Sequence, residues 1–125
     1  LHEHARDGGR VTSAAVKNFW PAQTPTGAQD WVRWAREGLV DDFMVMMYYD
    51  DASVFSSLLQ YHQGLLAGTD VQYWPGPGRH EEQWNTTPEG LIEQVRIAKE
   101  AGTAGVCIFN EQQLTDDDLK LLAGV

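Results

Sequence analysis

The sequence predicts an α/β fold of four consecutive βα units with parallel strands, and three observations carry that reading. Short apolar runs rich in β-branched residues alternate with segments whose apolar residues recur at helical spacing. The helical segments carry their own start or stop signals, at Gly38, Thr87-Pro88, Gly102 and Thr115. The clearest strand lies in Val40-Asp41-Asp42-Phe43-Met44-Val45-Met46-Met47-Tyr48-Tyr49-Asp50-Asp51, a nearly continuous apolar run bracketed by acids. Such a run suits a strand buried on both faces of a parallel sheet. A (β/α)8 barrel takes about 250 residues, so four units in 125 residues amount to half of one. A small open doubly wound sheet is the other arrangement these units allow.

In chain order, Val11 to Lys17 is small and β-branched and reads as the first strand. Pro21 to Gly27 is loop. Ala28, Trp31, Trp34 and Ala35 then share a helical face, and Gly38 stops that helix as its C′ residue. The second strand runs from Phe43 to Tyr49. Val54, Phe55, Leu58, Leu59 and His62 mark an amphipathic helix over Ser53 to Gln63, which Asp51 is placed to cap. The third strand, Val71 to Trp74, is expected to end sharply at Pro75-Gly76-Pro77-Gly78. Thr87 as N-cap and Pro88 at N1 open a helix with Leu91, Ile92, Val95 and Ala98 inward. Ala104 to Phe109 is the fourth strand. Thr115 caps a last helix, with Leu114 and Leu119 as a hydrophobic staple and Asp116, Asp117 and Asp118 in its positive first turn.

Composition excludes several classes. A net charge of −9 and a pI near 4.6 leave no basic patch for nucleic-acid phosphates. Cys107, the single cysteine, allows no disulfide framework or thiolate metal site and reads as small core filler. No apolar stretch reaches membrane-spanning length and no signal-peptide pattern opens the chain. Leu1 to Gly9 reads as the tail of a helix ending at glycine, which leads to the expectation that the chain starts partway through a larger domain. No dinucleotide or phosphate-loop glycine motif follows a strand, and the prolines of Pro75-Gly76-Pro77-Gly78 remove the amides a phosphate cradle needs. His80 beside Glu81 and Glu82 reads as solvent-facing, so neither metal nor cofactor is expected. Asn85-Thr86-Thr87 fits a glycosylation sequon.

Polar and aromatic residues gather where strands are expected to end: Lys17, Tyr49 with Asp50, Trp74, and Asn110 with Glu111. Parallel α/β proteins place binding and catalytic groups at that end. Five tryptophans are present, and Trp20, Trp74 and Trp84 fall in loop-like contexts. A flat apolar face with one polar handle suits stacking on a sugar ring as well as packing.

The stretch Asp30-Trp31-Val32-Arg33-Trp34-Ala35-Arg36-Glu37-Gly38-Leu39-Val40-Asp41-Asp42, continued to Tyr49, resembles the bacterial glycosyl hydrolase-like TIM-barrel family. Those proteins carry a Trp-x-x-Trp-x-x-x-Gly-Leu-Val-Asp helix leading into a strand that ends Met-x-Tyr. Leu91 to Val95 and Gly102 to Phe109 are similar to the closing unit of the same barrels. The resemblance runs from Val11 to Leu119 and implies units five to eight, the C-terminal half of a (β/α)8 TIM barrel. Residues 1–125 would then be a single partial domain. Met47-Tyr48-Tyr49-Asp50 also resembles the Met-x-Tyr-Asp on the sixth strand of chitinase-type barrels, where Tyr and Asp contact substrate beside a catalytic acid on strand four.

These resemblances imply a glycoside hydrolase-like domain that cleaves glycosidic bonds in a polysaccharide or other glycan. Asp50 and Glu111 are its candidate catalytic carboxylates, a pair that would need to lie ~5 to 10 Å apart. Lys17, Trp20, Tyr49, Trp74 and Asn110 are its candidate substrate contacts, with the Val45, Met47 and Tyr49 face turned to the barrel interior. The expected partners are an oligosaccharide substrate and the missing N-terminal half of the barrel, or a second copy through self-association. A secreted or extracytoplasmic bacterial setting is implied. The other function open to the same scaffold is a non-catalytic carbohydrate-binding or assembly module.

Overall fold

Three parallel strands, β1 (Ser13–Lys17), β2 (Asp42–Met47) and β3 (Gln72–Pro77), lie side by side in chain order in the computed structural model. The structure describes residues 5, 7–19, 28–79 and 86–125. Four helices accompany the strands among those residues: α1 (Trp31–Arg36), α2 (Ala52–Leu66), α3 (Pro88–Glu100) and α4 (Asp116–Leu122). The protein is therefore mixed α/β, with a three-stranded parallel sheet.

Each helix starts or stops on a local signal. Asp51 accepts the amides of Ser53 and Val54 at the head of α2, and Thr87 accepts the Gly90 amide with Pro88 at N1 of α3. Thr115 and Asp118 form a reciprocal capping box on α4. Gly38 and Gly102 follow α1 and α3 in the left-handed region, at φ 63° and 69°.

The core lies on one side of the sheet. Phe43, Val45 and Met47 alternate along β2 and have no exposed surface. With Val16 and Tyr73 they meet Trp31, Val32 and Ala35 of α1, Phe55, Leu59 and Leu66 of α2, and Ala98 of α3. Trp31 anchors this layer, its ring 5.9 Å from Phe43 and 5.6 Å from His62. Truncating a buried aromatic of this kind to alanine costs about 3–5 kcal/mol, so Trp31→Ala is a change that would break this layer. Sequential strand order with α1, α2 and α3 on one face differs from a doubly wound sheet, which reverses its order and covers both faces.

Pro75 and Pro77 do not end the third strand; β3 passes through both. In a parallel strand a residue's N–H and C=O point toward the same neighbour. Asp42, Met44 and Met46 pair with Gln72, Trp74 and Gly76, and the Gln72 amide donates to Asp41. The prolines turn the other way, toward residues 104–109, where their carbonyls accept and their missing amides are spared from the β2 ladder. Tyr73, Pro75 and Pro77 accept from the amides of Ala104, Cys107 and Phe109 at 3.0, 3.1 and 3.0 Å. The expected fourth strand is thus an extended run parallel to β3, tied by a one-sided ladder and by the Gly78–Phe109 bridge. One extra residue intervenes between the first two of those bonds, a bulge at Gly105 and Val106.

Candidate functional site

The rim is built where the strands run out. Lys17 ends β1 with its side chain in solvent and its amide donating to Gln29 Oε1 at 3.0 Å. The next residue, Asn18, is buried, and its Nδ2 donates to the Tyr49 hydroxyl at 2.9 Å. Tyr49 is held again at its carbonyl, which accepts Gln94 Nε2 at 2.6 Å and Thr86 Oγ1 at 3.3 Å. The exits of β1 and β2 and the body of α3 are thereby joined.

The two tyrosines sit on opposite sides from the expected arrangement. Tyr49 packs against the helix-covered core and beside Phe19, Ser53, Val54 and Leu58. Tyr48 lies with Met44 and Met46 on the face turned away from α1 and α2, one residue out of phase with the buried Phe43, Val45 and Met47. Its ring stacks on Phe109, with centroids 5.4 Å apart and planes 27° from parallel. It also rests on Gly78, where a Cβ would come within 2.8 Å of the ring. Below this pair is a hollow of about 160 Å³ lined by Ala15, Met44, Met46, Gly76 and Cys107. Burial, then proximity to Cys107, pushes the Tyr48 hydroxyl above its ordinary value of 10.0. Cys107 is exposed on this face, not the core filler expected of it.

Trp74 is not at a strand end. It is the third residue of β3, paired with Met44, and its Nε1 donates to Asp42 Oδ1 at 3.2 Å near the opposite end of β2. Its ring lies against Gly105, leaving no room there for a Cβ. Asp50 is exposed between the strand exit and the α2 cap. Asn110 donates to Gln113 Oε1 at 3.4 Å, and its Oδ1 is buried without a partner. Glu111 opens the following 3-10 turn and is exposed. Tyr48, Phe109 and Asn110 are thus drawn together, and Asn18 with Tyr49, while Trp74 is removed from the rim. Trp20 lies outside the described residues, as do His80, Glu81, Glu82, Trp84 and Asn85.

Two buried polar assemblies behind the rim were missed by the sequence reading. Arg79, just after β3, directs Nε at the Asp118 carboxylate at 3.2 and 3.3 Å and Nη1 at the Thr86 carbonyl at 2.6 Å. His62, on the inward face of α2, joins Tyr73 to the carbonyl of Asn18. The available signals were an arginine directly after a strand and a histidine in phase with Phe55 and Leu59.

Among the described residues no group of three or more His, Cys, Asp or Glu side chains is arranged to hold a metal ion, and no helix is long and apolar enough to cross a membrane. Comparison of the chain with protein-family models, curated proteins and solved structures finds no match.

Proposed function

We propose that the chain is the C-terminal half of a (β/α)8 barrel that hydrolyses glycosidic bonds in a polysaccharide or other glycan. The observation that carries this reading is the Tyr48–Phe109 stack at the C-terminal ends of parallel strands, with Lys17, Asp50, Asn110 and Glu111 each at or just after a strand end in the sequence. The winding supports it, because sequential parallel strands with helices on one face leave the other face for a barrel interior. Tyr48 and Phe109 form the sugar-stacking floor on that face, a role the sequence had suggested for Trp74. Asp50 acts as acid/base or orients the substrate, and Glu111 is the second carboxylate. Lys17 and Asn110 hydrogen-bond hydroxyl groups at the edge. Tyr49 serves this site by fixing the strand exit through Asn18. The remaining strands come from the N-terminal half of a longer barrel or from a second copy, in a secreted or extracytoplasmic bacterial protein.

The test is hydrolysis of a glycan panel by a full-length barrel carrying Asp50→Asn or Glu111→Gln. Loss of about 10²–10⁴-fold in kcat is expected for a residue that moves a proton. Unchanged hydrolysis by both variants overturns the catalytic assignment. A non-catalytic glycan-binding module is the second reading, favoured by a stacking floor that needs no carboxylate. It predicts that oligosaccharides bind the Asp50→Asn protein as tightly as the parent, with no hydrolysis by either.

A further inference from the structure

We propose that His62 is a positioning residue that locks the exits of β1 and β2 together only while its imidazole is neutral, so that acid loosens the rim. The coupling does not depend on what the rim binds. His62 has no exposed surface, and both ring nitrogens are engaged. Nε2 lies 2.9 Å from the Asn18 carbonyl, which can only accept, so Nε2 carries the proton. Nδ1 therefore offers its lone pair to the Tyr73 hydroxyl 3.0 Å away. Met47 Sδ, 3.2 Å from the same hydroxyl oxygen, is the weaker acceptor for the single Tyr73 proton.

A second proton on the ring reverses that arrangement. Nδ1–H then needs the Tyr73 oxygen as acceptor, and the Tyr73 proton must turn to the Met47 sulfur. Among the described residues, the groups facing the ring offer no countercharge. They are Trp31 from α1, Tyr73 from β3, Tyr61 from α2 itself, and the Asn18 backbone from the β1 exit. Among these described contacts the titratable groups are two tyrosines, and none is a carboxylate. A charge buried without a partner is relieved by moving to water. The ring can do so only by releasing Asn18, whose side chain holds the Tyr49 hydroxyl. Loss of that contact thus frees the β1 exit at Asn18 and slackens its hold on the Tyr49 hydroxyl, while the Tyr49 carbonyl stays tied to Gln94 and Thr86. Burial pulls the imidazole below its ordinary 6.5, against the Asn18 hydrogen bond, which places the step on the acid side of that value.

The experiment is an NMR titration of the intact chain from pH 8 to pH 4, following the His62 ring nitrogens and the backbone amides. The Asn18, Phe19 and Tyr49 amides are expected to shift with the His62 midpoint, while Phe43 and Met44, inside the sheet and away from the ring's hydrogen bonds, stay in place until global unfolding. His62→Gln is expected to flatten the acid response of Asn18 and Tyr49. The proposal is overturned if His62 titrates without moving the rim, or if the rim moves at a midpoint of its own. It is equally overturned if His62 stays neutral until the whole chain unfolds. Should His62→Gln fail to fold, the titration of the parent protein decides alone.

Discussion

Arg79 and Asp118 face each other across 3.2 Å, and Asp118 is wholly buried. The pair joins the exit of β3 to the first turn of α4, and Arg79 extends the link to Thr86 ahead of α3. The same carboxylate closes the α4 capping box by accepting the Thr115 amide and hydroxyl, both at 2.8 Å. Burial alone would raise its pKa, but the Thr115 amide and hydroxyl and the Arg79 guanidinium outweigh it and hold it below 3.8. Asp118→Asn leaves Arg79 charged in a largely enclosed site. Removing one partner of a buried pair costs about 3–5 kcal/mol, and the slight exposure of Arg79 places this loss near the lower end. Urea denaturation at pH 7 measures it. The folded pKa is depressed, so this stabilisation is complete above pH 3.8 and is lost as the pH falls through the folded value. The difference between parent and variant is expected to shrink over that acid range.

Gly105 is fixed by the ring that covers it. A Cβ there would collide with Trp74 Cζ3 and lie 2.8 Å from Cε3, both parts of a rigid indole inside β3. Gly105→Ala must therefore displace Trp74 and break its bond to Asp42. Overpacking of this kind costs about 1–3 kcal/mol. The expected outcome is a lower denaturation midpoint with a red-shifted tryptophan emission as the indole leaves its half-buried seat. An unchanged emission maximum in a folded Gly105→Ala protein would contradict the placement.

Asp50 and Asp51 are adjacent acids with separable roles. Asp51 caps α2, and hydrogen bonds from the Ser53 hydroxyl and amide, then the Val54 amide, hold its pKa below 3.8. Asp51→Ala is expected to lower the thermal midpoint and to speed amide exchange in the first turn of α2. Asp50→Asn should leave both within error, because surface substitutions away from such features stay within about 0.5 kcal/mol. Equal destabilisation by the two changes would mean that Asp50 is structural, and its proposed role in the site would fall.

The helix boundaries were legible because they are local. Thr87-Pro88, Thr115 with Asp118, Gly38 and Gly102 each satisfy or end a helix with groups a few residues away. The faces of β2 were not legible, for a physical reason. Phe43 to Tyr49 is apolar at every position, so alternation alone cannot say which residues meet the helices. Trp31, Phe55 and Leu59 decide it from elsewhere in the chain, and they select Phe43, Val45 and Met47. That choice put Tyr48, not Tyr49, on the open face and changed the composition of the candidate site. The length of β3 was not legible either, because a proline's effect depends on which neighbour its missing amide would have met, and that neighbour, residues 104–109, is remote in sequence.

The face of the sheet turned away from α1 and α2 makes the last prediction. Met44, Met46, Tyr48 and Phe109 border an apolar hollow there, and Phe109 is 45% exposed. β1 pairs only with β2 among the described strands, which makes it an edge strand, and an edge strand is a template for another chain. An apolar face beside an edge strand favours association over solvent exposure. The 125-residue chain alone is therefore expected to dimerise or aggregate with rising concentration in sedimentation velocity. Met46→Glu places a charge in the middle of the hollow while leaving the Phe43, Val45 and Met47 face intact, and should shift the population toward monomer by at least tenfold in the apparent Kd. Supplying the N-terminal half of the proposed barrel in trans should do the same for the unaltered chain, since it would cover the face and pair the edges. A monodisperse, cooperatively folding monomer at moderate concentration would mean that the open face is satisfied within the chain, and the half-barrel proposal would lose its physical basis.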